Sequence, residues 1–342
     1  MKKYVLVTLA DKNFINQAKQ LFSSAYHNGG WDGDYLLLSC NIPEKELKWF
    51  RKKGIRILKC KSLYDKWSIN VNRFNQRFIS QIYLYKFYLF TDYFKKWKNV
   101  VFLDSDTIVK ASLKELKNIK GIAFALDCCP KLKKQFLEKK FINNEKEKKI
   151  LQSLRDKYHF EEKALNSGII VFSTDIIKKE MLKNFLNLYN YCKNILIPPE
   201  QAIFNIYFYK KWKELPSVYN TYHFLFSDKE DINSIIIHAV GPNRAWDKNS
   251  RFKKEWEENL KKADLINIKN PKAPKKILTE DEIKKYSKDI RRRIHRKARG
   301  PPIIIRILME IDRQIGLFGL FLKEKNPRFY YLLKKIKKEY LF

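Results

Sequence analysis

Val100-Val101-Phe102-Leu103-Asp104-Ser105-Asp106-Thr107-Ile108-Val109 is the stretch that decides how this chain folds. Four apolar residues without a polar interruption describe a strand covered on both faces, as in a parallel sheet with helices on either side. The carboxylates that end the run are costly to bury unless something positive meets them. Residues i and i+2 of a strand point to one side, so an extended chain directs Asp104 and Asp106 toward the same divalent ion. Oxygen ligands suit Mg²⁺ or Mn²⁺, and two carboxylates leave coordination positions that phosphates can fill. Taken alone, the triplet is more simply a strand end closed by two solvated acids.

The flanking sequence supports the first reading. Upstream, Tyr4 to Ala10, Tyr35 to Cys40 and Ile55 to Leu58 read as strands. Between them lie a helical pattern from Phe14 to about Tyr26 and a short helix opened by Pro43 and closed by Gly54. This β-α-β-α-β rhythm predicts an α/β, Rossmann-like, mainly parallel sheet flanked by helices. Residues 61–79 read as a loop, and Gln81 to Phe94 as an aromatic-rich helix leading into the central strand. Downstream, Gly121 to Leu126 is a strand ending at Asp127-Cys128-Cys129-Pro130. Residues 131–160 read as a Lys-rich helical insertion with no visible chemistry. A strand follows from Asn166 to Ser173, then a helix from Thr174 to about Tyr191, a helix near Glu200, and a last strand from Ser234 to Ala239.

Composition bounds the function. The chain has 342 residues, 45% hydrophobic and 15% aromatic, enough for a sizeable core and too aromatic for general disorder. The net charge of +34 implies an anionic partner: nucleic acid, acidic lipid or a polyanionic substrate. Five cysteines without regular spacing suit neither a disulfide framework nor a zinc knuckle, and read as reduced thiols of a cytosolic protein. The apolar run after Lys2-Lys3 stops at Asp11, too short for a signal peptide, and no apolar run is long enough to span a bilayer.

Five short stretches line up in order: Lys86; Asp104 and Asp106; Asn166-Ser167-Gly168; Glu200-Gln201; and His238-Ala239-Val240-Gly241 leading to Arg244-Ala245-Trp246. As a set they resemble the GT-A nucleotide-sugar glycosyltransferases of retaining family eight, over roughly residues 1–250. The resemblance implies Mn²⁺ (or Mg²⁺) on Asp104, Asp106 and His238, and a UDP-sugar as donor. It implies donor contacts from Lys86, Ser105, Gly241 and Arg244, the last standing where the family has Lys. Asn166, Ser167, Gly168, Glu200 and Gln201 would line the sugar pocket. Thr8, Leu9, Ala10 and Asp11 would face the base, with Phe14 or Ile15 where the family stacks a Tyr. Glu200 stands where Asp is usual, and Ala245 replaces Pro.

Physical chemistry agrees with these roles. A departing nucleoside diphosphate gathers charge on its β-phosphate, which a divalent ion and fixed cations stabilise. Gln201 is the candidate on the sugar face opposite the leaving group, and as an amide it is a poor nucleophile. That favours front-face attack over a covalent intermediate on Glu200, the second choice. Tyr219, Tyr222 and Trp212 are candidate acceptor aromatics, although core packing is the commoner use of such residues.

The expected organisation is a catalytic domain over 1–265, with a donor half to about 110 and an acceptor half beyond it, followed by a basic helical tail over 266–342. From Asn270 onward there are 21 Lys and Arg against 8 Asp and Glu. Thr279 and Glu282 form a capping box, and Ile304, Ile307, Leu308, Ile311, Ile315, Phe318 and Leu322 form an apolar stripe. Basic clusters around such a stripe suit an anionic membrane surface. The expectation is a cytoplasmic, membrane-peripheral transferase acting on a glycan or glycolipid such as lipopolysaccharide or capsule. The alternative from charge alone is a nucleic-acid-binding protein without transferase activity, against which no RRM, KH, zinc-finger or helix-turn-helix signature appears.

Overall fold

The computed structural model describes residues 2–63, 81–241, 243–300, 326–328, 331, 332 and 335. In chain order its elements are β1 (Tyr4–Ala10), α1 (Ile15–His27), β2 (Asp34–Ser39), α2 (Glu44–Lys52), β3 (Arg56–Lys59), β4 (Asn99–Leu103), β5 (Thr107–Val109) and β6 (Ile122–Lys131). They continue with α3 (Glu145–Lys157), β7 (Lys163–Ser173), α4 (Met181–Cys192), α5 (Pro199–Tyr207), β8 (Lys213–Glu214), β9 (Thr221–Tyr222), β10 (Ile236–His238), α6 (Lys253–Lys261) and α7 (Glu280–Arg299).

Seven strands make one sheet in the order β3-β2-β1-β4-β7-β6-β8, in which β7 alone runs against the others. The chain leaves β1 toward β2 and β3, then returns to place β4 on the other side of β1. Ligands of open α/β sheets bind at such a switch point, outside the carboxyl ends of the strands. Alternation within the strands fills both faces: Val5, Val7, Val100 and Phe102 on one side, Leu6, Ala10, Val101 and Leu103 on the other. The first face packs on an aromatic cluster in which Phe90 stacks on Phe172 and Phe87 on Phe185. A smaller sheet, β5-β10-β9, stands beyond the carboxyl end of β4.

Several expectations need correcting. The stretch Val100–Val109 is not one extended strand. Thr107 N–H donates to Asp104 O at 3.1 Å and Thr107 Oγ1 to the same oxygen at 2.7 Å, closing a tight turn over Ser105 and Asp106. The chain thereby leaves the large sheet at β4 and enters the small one at β5. Gln81 to Phe94 forms two 3₁₀ segments, Gln81–Phe90 and Asp92–Lys96, rather than an α-helix. Three residues per turn put Leu84, Phe87 and Phe90 in one buried row. The insertion at 131–160 is only half helical: β6 runs through Lys131, and two 3₁₀ turns precede α3. The helix expected from Thr174 begins at Met181. Residues 64–79 of the expected loop lie outside the described residues.

The capping box is present, with Glu282 N–H donating to Thr279 Oγ1 at 3.2 Å and Thr279 N–H to Glu282 Oε2 at 2.9 Å. The helix it opens, α7, lays Ile290 and Ile294 against the sheet and is fixed at the rim by Arg293 to Glu230 (2.8 Å) and Arg291 to Glu214 (2.6 Å). Its apolar face is therefore used in packing. The stripe from Ile304 to Leu322 lies outside the described residues. No helix among the described residues is long and apolar enough to cross a membrane.

Candidate active site

The turn after β4 and the end of β10 face each other. Because β5 and β10 pair antiparallel, with His238 opposite Thr107, the imidazole is delivered beside the turn that carries the two acids. One ligand atom each from Asp104, Asp106 and His238 lies within 4.8 Å of the others. The convergence expected from an extended strand is achieved instead by a turn.

Second contacts fix this trio. His238 Nδ1 lies 2.8 Å from Asn220 Oδ1, while Asn220 Nδ2 donates to Asn166 Oδ1 and to Tyr222 Oη. That arrangement makes Nδ1 the protonated nitrogen and leaves Nε2 facing Asp106 Oδ1 at 3.2 Å. Burial disfavours charge on His238, but Asp106 outweighs it and raises the imidazole above its ordinary range. Burial pushes Asp106 up as well. His238 reverses this, helped by Lys86 and Arg244, so that the carboxyl is held low. For Asp104, burial wins over Lys86 and the carboxyl is pushed up. Gly168 makes room for the ring: a Cβ there would lie 2.4 Å from His238 Cε1.

Lys86 does not snorkel to water. It is 2% exposed, and its ammonium lies 2.9 Å from both oxygens of Asp104 and 3.3 Å from Glu200 Oε1. Burial works against its charge, but Asp104 and Glu200 raise it above the usual lysine range. Glu200 Oε1 also accepts from Ser167 Oγ at 3.0 Å, whereas its Oε2 is buried without a partner among the described residues.

Gln201 is fully engaged. Its oxygen accepts from Asn166 Nδ2 and from Ser167 N, both at 3.0 Å. Its nitrogen donates to Asp127 Oδ2 and Gln135 Oε1, both at 2.9 Å. Asp127, Gln135 and Asn220 are residues that sequence reasoning missed. Asp127, whose carboxyl burial pushes up, was visible only as the acid closing a strand, and Asn220 and Gln135 carried no signal.

The other expected residues take the following positions. Thr8 is buried and its hydroxyl donates to Leu103 O at 2.8 Å, tying β1 to β4. Leu9 and Ala10 are buried too, and Asp11, half-exposed, accepts from Asn13 N–H. Ser105 is buried in the turn. Gly241 holds φ +92° on the exposed stretch that carries Arg244. That stretch docks back on the β1–α1 loop, where Trp246 meets Phe14 edge-on at 6.0 Å. Tyr219 and Tyr222 are core residues, and Trp212 packs edge-on against Phe124.

A family model described as glycosyl transferase family 8 matches residues 5–250. The chain belongs to that family. The motifs that carried the resemblance all fall within the matched span, and the match favours the transferase reading over the nucleic-acid one that charge suggested. Solved structures share the fold. Apo WbbM, a bifunctional glycosyltransferase, gives a TM-score of 0.53 at 19% identity, covering 78% of this chain and 52% of that one. The galactosyltransferase LgtC, solved with donor and acceptor sugar analogs, gives 0.55 at 15% identity, covering 75% and 95%. Apo GlyE of Streptococcus pneumoniae TIGR4 gives 0.52 at 16% identity, covering 85% and 64%. At these identities the likeness is one of fold, the mixed, mainly parallel GT-A sheet. The chain spans about half the length of WbbM. A comparison with curated proteins gave no match.

Proposed function

We propose that this family 8 chain is a metal-dependent, retaining hexosyltransferase. It moves a hexose from a nucleotide sugar, with UDP as the carrier, to a cell-surface glycan or glycolipid such as lipopolysaccharide or capsule. The observation that carries the reading is the meeting of Asp104, Asp106 and His238, brought from two sheets to within 4.8 Å. Two carboxylates and one imidazole whose Nε2 faces Asp106 fit Mn²⁺ or Mg²⁺. When bound, the ion supplies charge stabilisation to a departing diphosphate.

The chain's own residues do the rest. Lys86 bridges Asp104 and Glu200 and fixes a cation beside the leaving group. Arg244, on its exposed stretch, adds a second cation at the cleft edge. Glu200 Oε2, buried and unpartnered, accepts a hydrogen bond from a hydroxyl of the donor sugar. Gln201 holds Asn166, Ser167, Asp127 and Gln135 in register. One LgtC structure is of an active-site mutant in which a Gln is changed to Glu. The same change at Gln201 would place a second carboxylate beside Asp127. With its lone pairs occupied, the Gln201 amide favours front-face attack, in which the acceptor oxygen replaces the leaving phosphate oxygen and the phosphate takes its proton. The catalytic region is proposed to span 1–265, and the basic segment beyond it to hold the enzyme against an anionic membrane where the acceptor resides.

Donor hydrolysis measured over a panel of UDP- and GDP-sugars, with and without Mn²⁺, tests this reading. Metal-dependent release of one hexose is expected. Full turnover in excess chelator would falsify the metal role, and a trapped glycosyl adduct on Glu200 would overturn the front-face route.

A further inference from the structure

Residues 133–141, α3 and Ile197 enclose a groove of about 570 Å³, within the range of small-ligand sites. Five cations line it, Lys133, Lys134, Lys139, Lys140 and Arg155, against one carboxylate, Glu138. Lys133 is taken up by Glu161 and Lys140 by Glu138. Lys134, Lys139 and Arg155 have no carboxylate within 4.0 Å among the described residues. The remaining wall is aromatic and apolar. Phe136 stacks on Phe160 at 4.9 Å, and Phe141 and Ile197 are more than a third exposed. Lys140 lies over Phe141 at 4.8 Å and Arg155 over Phe160 at 5.6 Å, so cations and rings line the groove side by side. A sugar ring with an acidic substituent uses both: its C–H face packs on the ring, and its anion meets the lysines.

The groove shares its wall with the catalytic network. Ile197 N–H donates to Gln135 O at 2.8 Å, and Leu137 N–H to Ile195 O at 2.9 Å. Gln135, between groove residues Lys134 and Phe136, holds Gln201, and Ile197 leads directly into α5, which carries Glu200 and Gln201.

We propose that this groove binds an anionic sugar, carboxylated or phosphorylated, of the acceptor glycan, and so makes the enzyme selective for acidic acceptors. The proposal rests on the transferase reading for its purpose, but its binding step is measured separately. Calorimetric titration would use hexagalacturonate and a phosphorylated hexasaccharide, with maltohexaose as the neutral control, on the full chain. At least one anionic probe is expected to bind in a salt-dependent way, with maltohexaose at least tenfold weaker. Lys134→Glu/Lys139→Glu should weaken the anionic probe at least tenfold and Phe141→Ala severalfold. Melting temperature and acceptor-free donor hydrolysis should stay at parent values. Binding of neither anionic probe, equal binding of maltohexaose, or affinity unmoved by the double variant would overturn the proposal. Preferential binding of a 20-nucleotide single strand in the same groove would do so too, assigning it to nucleic acid. A preparation that hydrolyses no donor refutes the transferase reading instead, while the titration still decides the groove.

Discussion

Two of the places where charge meets the sheet are built differently. In the cluster around Asp104, Lys86, Glu200, Gln201 and His238 are nearly sealed from solvent, and almost every polar atom has a named partner. At α7 the sealed residues are Ile290 and Ile294, while Arg291, Arg293, Glu214 and Glu230 pair at a rim that water reaches. Deleting one charge from a buried set strands its partners in a poorly solvated site, whereas deleting one at a wet rim lets water take over. The interior of the cluster should therefore be intolerant and the rim of α7 forgiving.

The sharpest test removes the buried cation. Lys86→Met keeps the volume but leaves Asp104 and Glu200 facing each other's charge. We expect a loss of about 3–5 kcal/mol in folding stability, seen in urea melts, and loss of transfer. A variant that melts like the parent would break the contrast. Next in size is Asn220→Ala, which frees the His238 ring to turn. Mn²⁺ affinity should fall by about 10–100-fold, read by calorimetry or Mn²⁺ resonance, with the fold intact.

The smallest effect belongs to the rim. Hydrogen bonds from Arg293, and then from Ser227 N–H, hold Glu230 down at about 2, below the usual range of a glutamate. Because the folded value is depressed, the stabilisation is present above the unfolded value near 4.5 and is lost as pH falls through about 2. Glu230→Gln should cost about 1 kcal/mol or less at pH 7. That difference should shrink between pH 4.5 and 2. A cost as large as that of Lys86→Met would erase the distinction between rim and interior.

Legibility in the sequence followed the same division. Asp104, Asp106 and His238 could be found because they stand in order within a set of five stretches that resembles one family; taken alone, two acids at a strand end or a His closing an apolar run have plainer explanations. Lys86 was ambiguous among aromatics, since nothing local distinguishes a lysine that reaches water from one that reaches carboxylates eighteen or more residues away. Gly168 was placed with the sugar pocket, but its missing side chain is what admits the imidazole. Residues 131–160 showed no chemistry because the groove they form exists only once Ile197 closes it.

The sequence by itself determined the succession of strands and helices in the first half and the α/β class, because burial and alternation leave periodic traces within a few residues. Tertiary structure alone decided that a turn, rather than an extended strand, brings Asp104 to Asp106. It also decided that Asn220 sets the tautomer of His238, and that the apolar face of α7 is covered by the sheet. Those facts depend on which distant segments meet, and a contact between residues far apart in the chain leaves no local pattern to read.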